Sequence, residues 1–368
     1  MKQNQNKINI ILFNLGGPSD LKSVPSFLFN LFSDALIIRL PSFLRLCLAW
    51  LISTLRTKKA QHIYSLINGK SPILENTEKQ GKALLNALNK LGYNNVEIHT
   101  VMRYWNPRAK DVINNMKWDN DQETLLLPLY PQYSTTTTLS SMYEFISLMK
   151  KKYPYFKYTK IGCYPVLPGL IQYYTKAISN IILSHNLDKP HILFSAHGLP
   201  IEVIQDGDPY QHHVQQTILA IKSQLELLHP QIFAHECYQS KVGPKKWLTP
   251  STEHLIEELS KQDENIIVAP IAFVSEHSET LVELDIEYKE IAHRYGAKSY
   301  HRVATPDDDV CFIQSLAELV STTLDGKNQD RYCSNFHDCF CHAQLKNKGN
   351  TYVKCAHNFC FNDTSKKD

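Results

Sequence analysis

The chain has 368 residues, 43% hydrophobic and 20% charged, an ordinary globular composition that excludes disorder and collagen-like repeats. Lys and Arg number 39 against 36 Asp and Glu, and a net charge of +3 is too small to draw the protein to nucleic acid. At about 150 residues per domain the length suggests two domains.

Residues 1–18 form a short polar lead and a brief apolar run ending in Gly-Gly-Pro. They lack the long apolar region and small-residue cleavage site of a signal peptide, so a cytoplasmic protein is expected. The greasiest stretch, 27–55, is interrupted by Asp34, Arg39, Pro41 and Arg45. Its longest uncharged run, 46–55, falls short of the ~20 residues that span a bilayer.

Short apolar runs then alternate with longer amphipathic ones, the pattern of parallel sheets covered by helices. Strands are expected at 8–14, 95–101, 124–130, 156–162, 191–196, 232–236 and 265–271, and helices at 75–91, 139–152, 170–185, 212–229 and 251–262. ILFNLGGP at 11–18 echoes ILFSAHGLP at 192–200, and TLLLPLYPQYS at 124–134 echoes NIIVAPIAFVS at 265–275, suggesting two similar halves. The expected divisions are 1–145, 146–307, a helix at 308–325 returning to the first half, and a tail at 326–368.

Ligands of open α/β sheets sit beyond the carboxyl ends of strands, so the turn-rich strings there are the candidate sites. His197 follows the strand HILFSA, where an imidazole could take a proton or bind a metal. The same position also suits a loop histidine bonded to backbone. The segment 275–290 carries six carboxylates in 16 residues. At helical spacing Glu279, Glu283 and Glu287 form a stripe about 80° wide, with Leu281, Leu284, Tyr288 and Ile291 opposite. A solvated face explains such a stripe, but His277 and Glu279 stand just past a buried-looking strand. Carboxylates in a row there could pass protons or a divalent cation. Tyr64, Trp247, the strings at 103–105 and 130–138, and the apolar lip 27–53 supply surface for a flat apolar ligand. Arg56, Arg103 and Lys241 supply charge for its acid groups. GxGxxG and GxxxxGK[ST] are both absent, so no nucleotide is expected.

Nine cysteines in a reducing compartment point to thiols or metal ligands. Five crowd the tail as Cys333-x5-Cys339-x-Cys341-x13-Cys355-x4-Cys360, with His337, His342 and His357 among them. Zinc, an iron–sulfur cluster and a loose thiol-rich tail all remain open on this spacing.

From about residue 8 to 324 the chain resembles the ferrochelatase family. The resemblance rests on ordered blocks: NLGGPSDLKSVPSFLFNLFSDALIIRLP, NGKSPI, MRYWNP, PLYPQYSTTTT, FSAHGLP, GDPY, YQSKVGPKKWLTP and PIAFVSEHSETLVELDIEY. It implies two similar Rossmann-like domains with parallel sheets flanked by helices, a cleft between them, and insertion of ferrous iron into protoporphyrin IX. By resemblance His197 is the active-site histidine and Glu279 its partner across the porphyrin, both meeting the Fe2+ substrate. Glu283 and Glu287 continue an acidic path, and Arg56, Tyr64, Ser71, Arg103, Tyr130 and Trp247 bind porphyrin. The Gly-Gly-Pro turn matches the protoporphyrin-using branch, and the 27–53 lip a rim that touches the membrane surface. A homodimer is a further possible partner state.

The family's animal members carry one cluster cysteine just after YPQYS, where this chain has Thr135. Some bacterial members draw that ligand from further on, which Cys163 matches. The resemblance thus implies a [2Fe–2S] cluster on Cys163, Cys333, Cys339 and Cys341, with Cys355 or Cys360 able to replace one of them. The competing functions are a porphyrin or haem carrier without catalysis, and a chelatase for another tetrapyrrole or metal.

Overall fold

The computed structural model describes residues 7–119 and 122–326. It contains two four-stranded sheets, all of whose strands pair in parallel. The first comprises β1 (Ile8–Asn14), β2 (Val96–Met102), β3 (Glu123–Pro128) and β4 (Thr159–Lys160), in the order β2-β1-β3-β4. The second comprises β5 (His191–His197), β6 (Phe233–Gln239), β7 (Asn265–Pro270) and β8 (Ser299–Arg302), in the order β6-β5-β7-β8. The orders are the same, so the echo between 11–18 and 192–200 joins β1 to β5, and that between 124–134 and 265–275 joins β3 to β7.

Burial explains the sequence of the central strands. Every residue of β1 and β7 is buried, because helices cover both faces of a parallel sheet and no face is left for polar alternation. One core cluster runs through both halves, from Ile10, Leu12 and Leu125 to Phe194, Ile267 and Val303. The helix Val310–Leu324 packs on Pro168–Ser184 of the second half and on Ile73–Lys90 of the first. Gly169 permits the tighter of these crossings: a Cβ there would lie 2.1 Å from the carbonyl oxygen of Cys311.

Three expectations need correction. The strand expected at 156–162 shrinks to two residues, because Phe156 and Tyr158 turn their stacked rings into the core beside Phe145 and Trp118 rather than extend the edge. Strand β8 was not foreseen, since Ser-Tyr-His-Arg at a sheet edge carries no apolar run. The acidic segment Glu279–Tyr288 is wound as a π-helix rather than an α-helix, as is Thr135–Leu139. Such i→i+5 turns are rare and occur frequently at functional sites. Their shared placement fits that tendency: one follows β3 and the other follows β7.

Candidate active site

His197 is the last residue of β5, the strand flanked on both sides by β6 and β7. Residues 271–278 leave β7 on the same edge and lead into the π-helix, whose first residue is Glu279. The two meet: His197 Nδ1 donates to Glu279 Oε2 over 2.8 Å. Both are partly open, with side chains 35% and 27% exposed. Burial alone would lower the His197 pKa, but the charge and hydrogen bond of Glu279, with Glu283 behind, outweigh it and hold the imidazole above its ordinary value. Burial would likewise raise the Glu279 carboxyl, yet His197 and then His277 bring it down to about 2.

The chain of acids continues inward through Gln239 and Ser240, which the sequence did not single out, and through Tyr288, which α-helical spacing puts opposite Glu283. Ser240 Oγ donates to Glu283 and lies 3.3 Å from Glu279 Oε2, and its backbone N–H donates to Glu283 Oε1 at 2.9 Å. Gln239 Nε2 reaches the Glu279 carbonyl at 3.2 Å and Glu283 Oε2 at 3.3 Å, while Tyr288 donates to Glu283 Oε1 at 2.7 Å. Burial first, and then the charge of Glu279, raise the Glu283 pKa, so this carboxyl holds a proton more readily than its neighbour. Gln239 ends β6 as His197 ends β5, and Ser240, the next residue, takes a φ of 63° to turn its hydroxyl between the acids. Their position at a strand end, inside the block YQSKVGP, is the signal that could have found them. On the other flank Phe273 stands edge-on to His197 and packs on His277, whose pKa burial lowers.

Two expected site residues are placed differently. Glu279 does not stand across a macrocycle from His197; the two are hydrogen-bonded, whereas a flat ring between them needs roughly 7 Å, twice a van der Waals contact. Glu287, further along the π-helix, is exposed and lies outside this network.

Residues of the first half approach the pair from the other side. Asn14 at the end of β1 touches Ser275 at 3.4 Å, and Ser278 donates to Tyr64 at 3.4 Å, so Tyr64 stands beside Glu279. Burial raises the Tyr64 phenol to about 12, leaving it a neutral donor. Arg56 lies two turns earlier on the same helix, Ser42–Ser65, half-buried over the ring of Phe32 at 5.8 Å. Buried Ser71 packs against Gly17, and Trp247 pairs with Pro200, in the turn after His197. Tyr130, half-buried after β3, faces Ser141 at 3.5 Å. Arg103 is already committed: its guanidinium meets buried Asp34 at 3.0 Å and Glu144 at 3.2 Å, and Asp34 also accepts from Tyr104 at 2.7 Å. Arg103 therefore reads as an anchor within the first half before it reads as a ligand for a free carboxylate.

Cys163 is completely buried beside Tyr164, and Cys333, Cys339 and Cys341 lie outside the described residues, as do Cys355 and Cys360. An enclosed thiol does not fit a cluster shared with the tail unless the surrounding core repacks. Among the described residues no group of three or more His, Cys, Asp or Glu is arranged to hold a metal ion.

A sequence model of the ferrochelatase family matches residues 7–324, and so spans both sheets and every residue of the acidic network. The chain belongs to the ferrochelatase family. Ferrochelatase of Rickettsia bellii (strain OSU 85-389) is 46% identical over 351 residues, covering 93% of this chain and 97% of the relative. Ferrochelatase of Pelagibacter ubique (strain HTCC1062) is 45% identical over 329 residues, covering 89% and 93%. Among solved structures, SirB from Bacillus subtilis with Fe3+ aligns over 89% of this chain and 98% of its own with a TM-score of 0.51. At 12% identity that likeness is one of fold, and the fold is that of the chelatases.

Proposed function

We infer that this protein inserts ferrous iron into protoporphyrin IX, forming protohaem and releasing the two pyrrole protons. The observation that carries the reading is the His197–Glu279 pair, open to the cleft and backed by Ser240 and Glu283. His197 takes a pyrrole proton. Glu279, ionised at any physiological pH, stabilises the imidazolium so formed. Ser240 links Glu279 to Glu283, whose raised pKa suits it to receive a proton inside the wall. Both members of the pair then act from one face of the macrocycle, with Tyr64 and Arg56 on the facing half to seat the ring and its acid groups. A carrier would have no use for this relay, which disfavours the non-catalytic reading. The test is anaerobic conversion of Fe2+ and protoporphyrin IX to haem, followed by absorbance. Porphyrin binding without metal insertion would refute the reading.

Two finer readings accompany it. The lip would rest on a membrane surface: Phe43, Trp50 and Leu55 are 77%, 64% and 72% exposed on the helix Ser42–Ser65, while no described helix is long and apolar enough to cross a bilayer. Co-sedimentation with lipid vesicles, lost in a Phe43→Ser/Trp50→Ser variant, would support peripheral attachment inside the cell. The tail would carry an iron–sulfur cluster with no part in the proton steps above. Iron and acid-labile sulfide that vanish in Cys339→Ser support it, and their absence from the purified protein refutes it.

A further inference from the structure

The buried stripe of the helix Ile73–Lys90 reads Ile73, Thr77, Gln80, Gly81, Leu84 and Leu88. Gln80 stands mid-stripe at 1% exposure, where a leucine would be the ordinary choice. A buried amide is costly unless its hydrogen bonds are made. Here all the bonds reach across to the other half, to the site loop at 274–275 and to Asp307. Nε2 donates to the Val274 carbonyl at 2.7 Å and the Asp307 carbonyl at 3.0 Å, and Oε1 accepts from the Ser275 hydroxyl at 2.9 Å. Carbonyls only accept, so the amide orientation follows from its partners.

The neighbours of Gln80 extend the same seam. Asn76 Nδ2 donates to the Glu276 carbonyl at 3.3 Å, and Asn14 Nδ2 contacts Ser275 and Thr77. Val274 O also accepts from the Asp307 N–H, so one carbonyl ties together the site loop and the approach to the last helix. Residues 274–276 are thus held to the first half by two backbone carbonyls and the Ser275 hydroxyl, immediately before His277 and Glu279. The first half also carries Tyr64 and Arg56.

We propose that Gln80 is a positioning residue for metal insertion: it sets the distance between the loop bearing Glu279 and the wall that seats the macrocycle. The proposal rests on the metal-insertion reading above. It follows that removing the clamp moves the acid–base pair relative to a ring still bound by the first half. A displacement of about 1 Å from productive geometry costs up to ~100-fold in rate.

The test is Gln80→Leu, which keeps the volume and deletes all three bonds, measured on protein shown to be folded by circular dichroism. The expected result is a kcat at least about tenfold lower, with the KM for porphyrin within about twofold of wild type. Ser275→Ala, which deletes one bond, should show the same split at a few-fold. A wild-type kcat in folded Gln80→Leu overturns the proposal, as does a joint loss of kcat and porphyrin affinity. If Gln80→Leu does not fold, Ser275→Ala decides: an unchanged kcat there overturns it. Wild-type turnover in the same assay separates the two claims, since an inactive wild type defeats the metal-insertion reading instead.

Discussion

Gly17→Ala tests how tightly the turn after β1 is packed against the loop that carries Ser71. A Cβ on Gly17 would lie 2.4 Å from Ser71 Cβ and 2.5 Å from Ser71 Oγ, against the ~3.5 Å of an ordinary carbon contact. The loop must retreat by about 1 Å. It cannot do so freely, because the Ser71 N–H donates to the Pro18 carbonyl at 2.9 Å, tying the loop to the segment that pushes it. Overpacking costs about 1–3 kcal/mol and the weakened hydrogen bond about 1 more, together roughly 2–4 kcal/mol. At about 2–4 °C per kcal/mol, Tm should fall by roughly 4–16 °C in a calorimetric or circular dichroism melt. The double variant Gly17→Ala/Ser71→Gly removes both clashing atoms, and the next neighbour, Ile73, is 3.5 Å away. It should regain most of the loss. A wild-type Tm for Gly17→Ala, or a double variant no more stable than the single one, would refute the packing argument.

Further outcomes follow from the same geometry. Asp34→Asn takes a charge from the cluster of Arg103, Tyr104 and Ser140 and should cost about 3 kcal/mol, read from the denaturant midpoint. A change under about 1 kcal/mol would mean that Glu144 suffices for Arg103. The His197–Glu279 pair should give stability a defined pH window. The folded pKa of His197 is raised, so its contribution is complete below about 6.5 and is lost as pH rises through the folded value. The Glu279 pKa is depressed to about 2, so its contribution is complete above about 4.3 and is lost as pH falls toward 2. Wild type should therefore exceed Glu279→Gln by about 1 kcal/mol, a modest figure for a partly exposed pair, between roughly pH 4.5 and 6.5. A difference that grows above pH 9 would contradict the assignment.

Much of the fold was legible because the central strands are buried on both faces and their apolar runs stand out between helical periods. The paired echoes fell on equivalent strands because each half repeats one sheet order. What escaped was short or non-repetitive: β8 has four residues and no apolar pattern, and β4 lost its length to aromatic packing. His197 was legible only as a candidate, since a strand end equally suits a loop histidine; its bond to Glu279, 82 residues away, is a tertiary fact. The role of Ser240 was not legible, since a single serine in a basic loop gains meaning only when its hydroxyl falls between two acids. Asp34 was seen merely as a charge interrupting an apolar stretch; its burial against Arg103, 69 residues away, is a tertiary fact. The π-winding of Glu279–Tyr288 was hidden because the sequence period was read at α-helical pitch. Gln80 was equally silent, since one polar residue in an amphipathic helix gives no hint of what it faces.

The most direct measurement is haem formation from Fe2+ and protoporphyrin IX under anaerobic conditions, comparing wild type with His197→Ala at matched porphyrin occupancy. Loss of one acid–base group predicts a kcat lower by about 10²–10⁴ with porphyrin still bound. Turnover by His197→Ala within a few-fold of wild type would contradict the assignment of the proton-accepting centre to the end of β5.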